Sequence, residues 1–516
     1  MDRNIEKWDV EDKTFWNTEG SRIAFRNLWI SIPSLLIAFA VWMCWSVITV
    51  QMKNLGFPFD TVQLFTLAAI AGLSGATLRI PNSFLIAIAG GRNVIALTTA
   101  LLLLPALGLG IALQNIETSF GTFAFLAALS GLGGGNFSSS MSNINFFFPK
   151  RMQGLSLGLN AGLGNIGVSV MQLLIPFVVG FSLFGNLGGA GRPLVVEAGG
   201  NPIGTLAYIQ NAGLVWVPLL IVLTAAAWFG MNNMVIATPK LGTNFTALMK
   251  VVGLLVIGAA GAGVGLYLLL GLGLSMWLVL PITIIITVLM MRAVPGEIKD
   301  NLRTQFTIFK NKHNWIMTYL YTMTFGSFIG YSAAFPLLIR VVFGELPDGS
   351  INPNAPNPFA YAWLGPLVGS LARPIGGWIS DKWGGAKVTQ WDTVAMILSA
   401  LGISYYIKEA SNSAAPEQFF IPFLILFLML FITTGVGNGS TFRMVPIIFK
   451  PSEAGPVLGW TAAVAAYGAF IIPRVFGQQI NAGTPEYALY GFAFYYLTCL
   501  VLNWFFYARK NAEIEC

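Results

Sequence analysis

Gly133-Gly134-Gly135-Asn136-Phe137-Ser138-Ser139 lines up with Gly435-Val436-Gly437-Asn438-Gly439-Ser440-Thr441, and reading these two stretches as copies of one element decides the fold. Beyond the asparagines, Phe148-Pro149-Lys150 and Phe449-Lys450 close the apolar runs, and Gly154-Leu155-Ser156-Leu157-Gly158 then matches Gly455-Pro456-Val457-Leu458-Gly459. Upstream, Gly75-Ala76-Thr77-Leu78-Arg79 matches Gly369-Ser370-Leu371-Ala372-Arg373. Three matches in one order at nearly constant separation mark a duplicated chain. Parallel repeats with a cavity between them are a natural architecture for alternating access.

Working outward, apolar residues make up 55% of the 516 positions and charged ones only 9%, where a soluble chain carries roughly a quarter charged. Mean hydropathy is +0.71. A membrane crossing needs about 20 largely apolar residues. That rule predicts spans near 28–50, 61–89, 94–115, 119–147, 155–181, 211–231, 248–271, 275–292, 315–340, 360–380, 391–408, 418–447, 455–480 and 487–508. These runs are too long and too continuously apolar for barrel strands. The expected fold is an all-α membrane protein of two six-helix halves with two additional helices between them. Its divisions are a cytoplasmic tail at 1–27, a six-helix bundle at 28–231, a linker carrying the extra pair at 232–314, a second bundle at 315–508 and a tail at 509–516.

Lysine and arginine mark the inner side of a membrane. With the amino terminus inside, the only basic residues in outer connections are Lys53, Arg192, Arg340 and Lys408, while most of the 28 fall on the inner side. The net charge of +7 is thereby an orientation signal and not a nucleic-acid patch. Both termini are expected in the cytoplasm, the chain sitting in a bacterial inner membrane among lipid. The polar amino-terminal stretch does not read as a cleavable signal. Cys44, Cys499 and Cys516 offer neither a disulfide framework nor metal-ligand spacing, and no metal or cofactor is expected. His313, the only histidine, stands among Lys310, Lys312 and Asn314 and is expected at a helix-flanking surface.

Arg79 and Arg373 fall deep in their spans, where an arginine costs at least about 2.5–3.5 kcal/mol unless it meets a cavity or a partner. On this placement of the spans every aspartate and glutamate, Asp392 included, lies at a span end or in a loop. Two cations without buried carboxylates make a site for an anion, and the guanidinium fork suits a flat oxyanion. The same absence of a buried acid argues for anion exchange over proton coupling. Asn136, Ser139, Asn143, Asn160 and Asn165 bring amides and a hydroxyl into neighbouring spans, with Asn165 the first choice for substrate contact because its repeat counterpart is Ala466. Glycines 158, 162, 164 and 167 form a smooth strip for helix approach or sliding. Tyr321 and Phe325, four apart, could clamp a flat anion, with Phe137 as the opposite jaw. Arg443 reads as a snorkelling or gating residue, and Arg474 as an outer-side packing or gating contact. No nucleophile–base set appears in any span, so an enzyme is not expected.

The stretches GLGGGNFSSSMSNINFFFPK (131–150), GLSLGLNAGLGNIGVSVMQL (154–173), TFGSFIGYSAAFP (324–336), LARPIGGWISDKWGG (371–385) and GVGNGSTFRMVPIIF (435–449) closely resemble the nitrate/nitrite porter family of the major facilitator superfamily. The resemblance implies that Arg79 and Arg373 bind nitrate or nitrite and that Phe137, Tyr321, Phe325 and Asn165 line the site. It further implies that Gly158, Gly162, Gly164, Gly167, Gly435, Gly437, Asn438 and Gly439 allow rocking between states, and that Asp381 and Lys382 take part in inner-side gating. The implied function is nitrate import in exchange for nitrite by rocker-switch alternating access; a proton-coupled nitrate or nitrite symporter is the alternative. A functional link to a cytoplasmic-facing nitrate reductase and a monomeric state are expected. The family pattern has twelve spans, so residues 248–292 depart from it.

Overall fold

The Asp60 side chain accepts the Gln63 backbone N–H at 2.7 Å while the Gln63 side chain accepts the Asp60 N–H at 3.0 Å, a reciprocal cap that starts the helix carrying Arg79. That helix ends at Gly90, whose φ of 78° lies in the left-handed region that favours glycine, and the next begins at once. The helix carrying Arg373 ends in the same way on Gly384, φ 88°, with a new helix from Gly385. The duplication therefore extends to the backbone turn that follows each arginine.

A computed structural model of the chain describes residues 4–198, 200–238, 241–296, 299–300, 302–303 and 306–516. Its long helices are α1 (Lys13–Asn54), α2 (Thr61–Ala89), α3 (Gly91–Ala112), α4 (Phe120–Phe147), α5 (Lys150–Val179), α6 (Asn211–Gly230), α7 (Asn244–Gly271) and α8 (Met276–Ala293). The second half supplies α9 (Lys312–Val342), α10 (Leu364–Trp383), α11 (Gly385–Ser411), α12 (Pro416–Ile448), α13 (Pro456–Asn481) and α14 (Glu486–Ala508). Eleven of them are long and apolar enough to cross a membrane by length and composition, among the described residues. The other three are α4, which holds the 133–139 motif, α10, which holds Arg373, and α11. One apolar core runs through both halves.

The extra pair α7–α8 packs on the helix that carries Arg79. Gly258 faces Leu78 and Pro81, Gly261 faces Thr77 and Thr287, and Gly265 faces Leu73 and Thr283. The opposite face of α7 exposes Phe245, Met249 and Val256, as a lipid-facing surface would.

The glycines of α5 divide into two groups. A Cβ on Gly167 would lie 2.1 Å from the Leu36 carbonyl oxygen, and one on Gly164 2.6 Å from Leu35, so these two seat α5 on α1. Gly158 and Gly162 meet nothing within 4 Å. The strip expected to be continuous is thus a packing pair followed by an open pair. Gly167→Leu should lower stability by about 1–3 kcal/mol, the usual cost of overpacking, whereas Gly162→Ala should leave it unchanged. Thermal unfolding of both variants in detergent checks the contrast.

Polar links between the halves gather at the end of the bundle opposite the termini. Lys53 pairs with Glu345 at 2.7 Å, and Arg340 Nε donates to Asn54 at 3.1 Å. Gln172 donates to the Ser332 carbonyl at 2.9 Å, Ser169 to the Trp363 carbonyl at 2.7 Å, and Arg474 to the Thr66 hydroxyl. Gly158 and Gly162 lie in the opposite half of the bundle's height, in the first turns of α5 beyond Pro149.

Two expectations are corrected. His313 is buried, with Nδ1 2.9 Å from the Tyr507 hydroxyl and Nε2 3.3 Å from Glu513, because the chain after α14 folds back over the end of α9. Asp392 is inside α11 and buried. The hydropathy of Lys387, Gln390 and Asp392 placed the span start at 391, but the helix begins at Gly385, so the carboxyl sits two turns within it.

Candidate functional site

Gly75 and Gly134 bracket the Trp42 indole: a Cβ on Gly75 would lie 2.3 Å from its Nε1, and one on Gly134 would lie 2.8 Å from the Gly75 Cα. This close approach of α2 to α4 brings the Gly134 carbonyl within reach of Arg79. Arg79 is fully buried. Its Nε donates to Gly134 at 3.0 Å and its Nη1 to the Ala462 carbonyl, on α13 of the other half, at 3.1 Å. The guanidinium lies 4.8 Å from the Phe137 ring centre, 5.2 Å from Phe325 and 5.4 Å from Trp42. Nη2 is buried with no hydrogen-bond partner.

Arg373 is also buried against an aromatic ring with one nitrogen unpartnered, but it is held within its own half. Its guanidinium sits 4.8 Å from the Phe442 ring on α12, its Nη2 donates to the Tyr321 hydroxyl at 3.3 Å, and its Nη1 is buried without a partner. Residues Thr322–Gly326 form a π-helical turn, a wide turn common at functional sites. It leaves Tyr321 and Phe325 parallel, 5.6 Å apart with 3° between planes. Phe137 stacks on Phe325 at 6.0 Å, so Arg79, Phe325, Tyr321 and Arg373 form one continuous row.

Among the described residues neither arginine pairs with a carboxylate; the ion pairs involve Lys53, Lys312, His313 and Arg443. Leaving a buried donor unsatisfied costs about 1–3 kcal/mol, more when it is charged. Two cationic donors without protein acceptors, joined by one aromatic row, have the chemistry to receive a small anion. Asn165, Asn438 and Asn136, all from the sequence motifs, are buried, each with an amide oxygen lacking a partner.

The clamp differs from expectation. A flat anion between two rings needs about 7 Å, two contacts of roughly 3.5 Å, and the Phe137–Phe325 spacing of 6.0 Å has no room for it. The rings instead floor the Arg79 guanidinium, which they attract through their negative faces. Trp42, Phe442 and the Ala462 carbonyl were not singled out in the sequence. Phe442 follows the 435–441 motif directly and could have been found there; Trp42 and a backbone oxygen carried no signal.

The glycines of the second motif act as spacers. A Cβ on Gly435 would lie 2.1 Å from the Gly369 carbonyl oxygen, on Gly437 2.6 Å from Asp392 Oδ2, and on Gly439 2.4 Å from the Arg373 carbonyl oxygen. Asp381 bonds Arg443 Nε, and Lys382 sits 3.8 Å from the Trp378 ring centre, both at the surface.

Along the sequence the chain is 40% identical over 515 residues to a protein of Thermus thermophilus described as a probable nitrate/nitrite antiporter, NarK2, covering 99% of this chain and 98% of the relative. The chain belongs to the nitrate/nitrite transporter family. It is likewise 36% identical over 530 residues to the nitrate/nitrite transporter NarU of Escherichia coli, covering 98% of this chain and 96% of NarU. No family model matches. By structure it resembles the xylose transporter XylE of E. coli in a partially occluded inward-open conformation. That match has a TM-score of 0.58 at 11% identity over 93% of this chain and 99% of XylE. A peptide transporter POT in complex with sulfate matches with TM-score 0.58 at 16% identity, over 94% and 96%. This family member therefore has the major facilitator fold, two six-helix halves with two helices added, and is a multi-pass membrane transporter and not an enzyme.

Proposed function

We propose that the protein is a nitrate/nitrite antiporter that imports nitrate in exchange for nitrite by rocker-switch alternating access. The observation that carries this reading is the pair of buried guanidiniums, each with one nitrogen left without an acceptor. Nitrate and nitrite are planar anions whose oxygens fit such donors, and the names of the relatives carry the same two anions. Arg79 and Arg373 hold the anion, Phe137, Phe325 and Tyr321 line the site and position the two guanidiniums, and Asn165 supplies an amide.

The moving bodies are residues 28–231 and 315–508, with 232–314 between them and the segments 1–27 and 509–516 as cytoplasmic tails. The links Lys53–Glu345 and Arg340–Asn54 close the outer side, and the open glycines Gly158 and Gly162 close up in the opposite state. Gly164, Gly167, Gly435, Gly437, Asn438 and Gly439 keep the packed helices close enough to rock, and Asp381 and Lys382 act at the inner surface. The protein works as a monomer in a bacterial inner membrane and serves a cytoplasmic-facing nitrate reductase.

Vesicles loaded with nitrite, with no pH gradient, should take up external nitrate, and empty vesicles should not. Uptake that needs a proton gradient and ignores internal nitrite would replace exchange by the second reading, a proton-coupled symporter. Asp392 keeps that reading alive, because the expected absence of a buried acid does not hold.

A further inference from the structure

Asp392 is the feature that the exchange reading leaves unused. It lies seven residues into α11, about 10 Å along the helix from its start, and only 7% of it is exposed. Its Oδ2 is buried with no hydrogen-bond partner. A Cβ on Gly437 would meet that oxygen at 2.6 Å and Thr324 Cγ2 at 2.5 Å, so the carboxyl, α12 and the π-helical turn of α9 converge at one point. Thr389, bonded to Ser440 at 2.7 Å, and Thr393, 3.6 Å from the Met323 sulfur, fix this register on either side.

Charged and titratable groups on the packed elements have partners elsewhere, stand at helix ends or, for Cys499, are buried. On α10, Arg373 donates to Tyr321 and Asp381 pairs with Arg443 of α12, while Lys382 lies on Trp378. On α9, His313 meets Tyr507 and Glu513, Tyr319 meets Thr498, and Arg340 donates to Asn54. On α14, Tyr496 bonds Ser327 and Tyr331, and Tyr495 donates to the Tyr319 carbonyl. Cys499 is buried on α14. Lys387 starts α11, and Lys408 and Glu409 end it; Glu417 and Glu486 begin the neighbouring helices. None of these forms an ion pair with Asp392.

We propose that Asp392 is a proton-binding site coupled to the anion site. A proton from bulk water forms the O–H bond of the neutral acid, the form compatible with a buried carboxyl that has no counter-ion. Losing that proton leaves a bare negative charge against Thr324 and Gly437, the immediate neighbours of Phe325 and Asn438. The charge both strains that packing and opposes an anion between the arginines. By linkage, anion binding then favours proton binding, and the reverse holds equally. This inference rests on the anion-site reading above.

The test titrates nitrate into the purified full-length protein in detergent at pH 6, 7.5 and 9, and follows proton uptake with a pH dye in weak buffer. In wild type the affinity should fall about tenfold from pH 6 to 9, and binding should take up protons. Asp392→Asn should bind with the wild-type pH 6 affinity at every pH, without proton uptake. An identical pH profile in both proteins, or a flat wild-type profile, overturns the proposal while leaving the anion site standing. Should Asp392→Asn fail to fold, Asp392→Glu decides: a displaced midpoint supports the site and an unchanged one overturns it. Absence of nitrate binding at every pH would instead sink the anion-transport reading, and this one with it.

Discussion

Arg79→Lys should lose nitrate counterflow by at least about 100-fold while still folding, and Arg373→Lys should follow it. Arg79 uses Nε and Nη1 to bridge Gly134 and Ala462 and keeps Nη2 for the anion. A lysine has one nitrogen, and it cannot hold both carbonyls and present a directed donor at once. Hydrogen bonds to charged groups contribute about 1.5–3 kcal/mol each, so losing two of them corresponds to roughly 100-fold or more. Arg373 has a single protein hydrogen bond at 3.3 Å, so Arg373→Lys should disturb the fold less and report more purely on the anion. Counterflow normalised to monodisperse protein measures both variants; full activity in either would remove that residue from the site.

Gly435→Val should be equally severe for a different reason. The Gly435 backbone touches the Gly369 carbonyl, and a Cβ there would lie 2.1 Å from that oxygen and 2.9 Å from the Ala372 Cβ. Both neighbours belong to α10, within one turn of Arg373. Backbone cannot step aside as a side-chain tip can, so α10 must move away from α12 and carry Arg373 with it. Displacement by about 1 Å at a binding constellation costs on the order of 100-fold, and the overpacking itself about 1–3 kcal/mol. Counterflow and thermal unfolding on the same preparation separate the two losses. Gly377→Ala, at a position on α10 with nothing within 4 Å, should leave thermal stability unchanged.

The arginine pair was legible because a repeat makes two costly positions explain each other: Arg79 and Arg373 share a helix position, a following proline and a terminal glycine turn. The partners of those arginines were less so. Ala462 meets Arg79 through a backbone oxygen, which every residue carries, and Trp42 reads as one more apolar side chain until helix packing places it. Hydropathy windows locate where a helix enters lipid and not where it begins, which is why the sequence puts Asp392 at the end of its span and the structure two turns inside the helix. His313 was misplaced because the chain beyond Ala508 folds back over it, a tertiary contact with no local sequence pattern. The glycines of α5 share one periodicity, yet Gly164 and Gly167 touch α1 while Gly158 and Gly162 face open space. Spacing gives the face of a helix but not what stands opposite each turn of it.

The most direct measurement is a structure determined at high resolution with nitrate bound. Nitrate oxygens should lie about 2.7–2.9 Å from Arg79 Nη2 and Arg373 Nη1, the two guanidinium nitrogens that protein atoms leave without an acceptor. Nitrate held elsewhere, with both of those nitrogens bonded to protein oxygens, would contradict it.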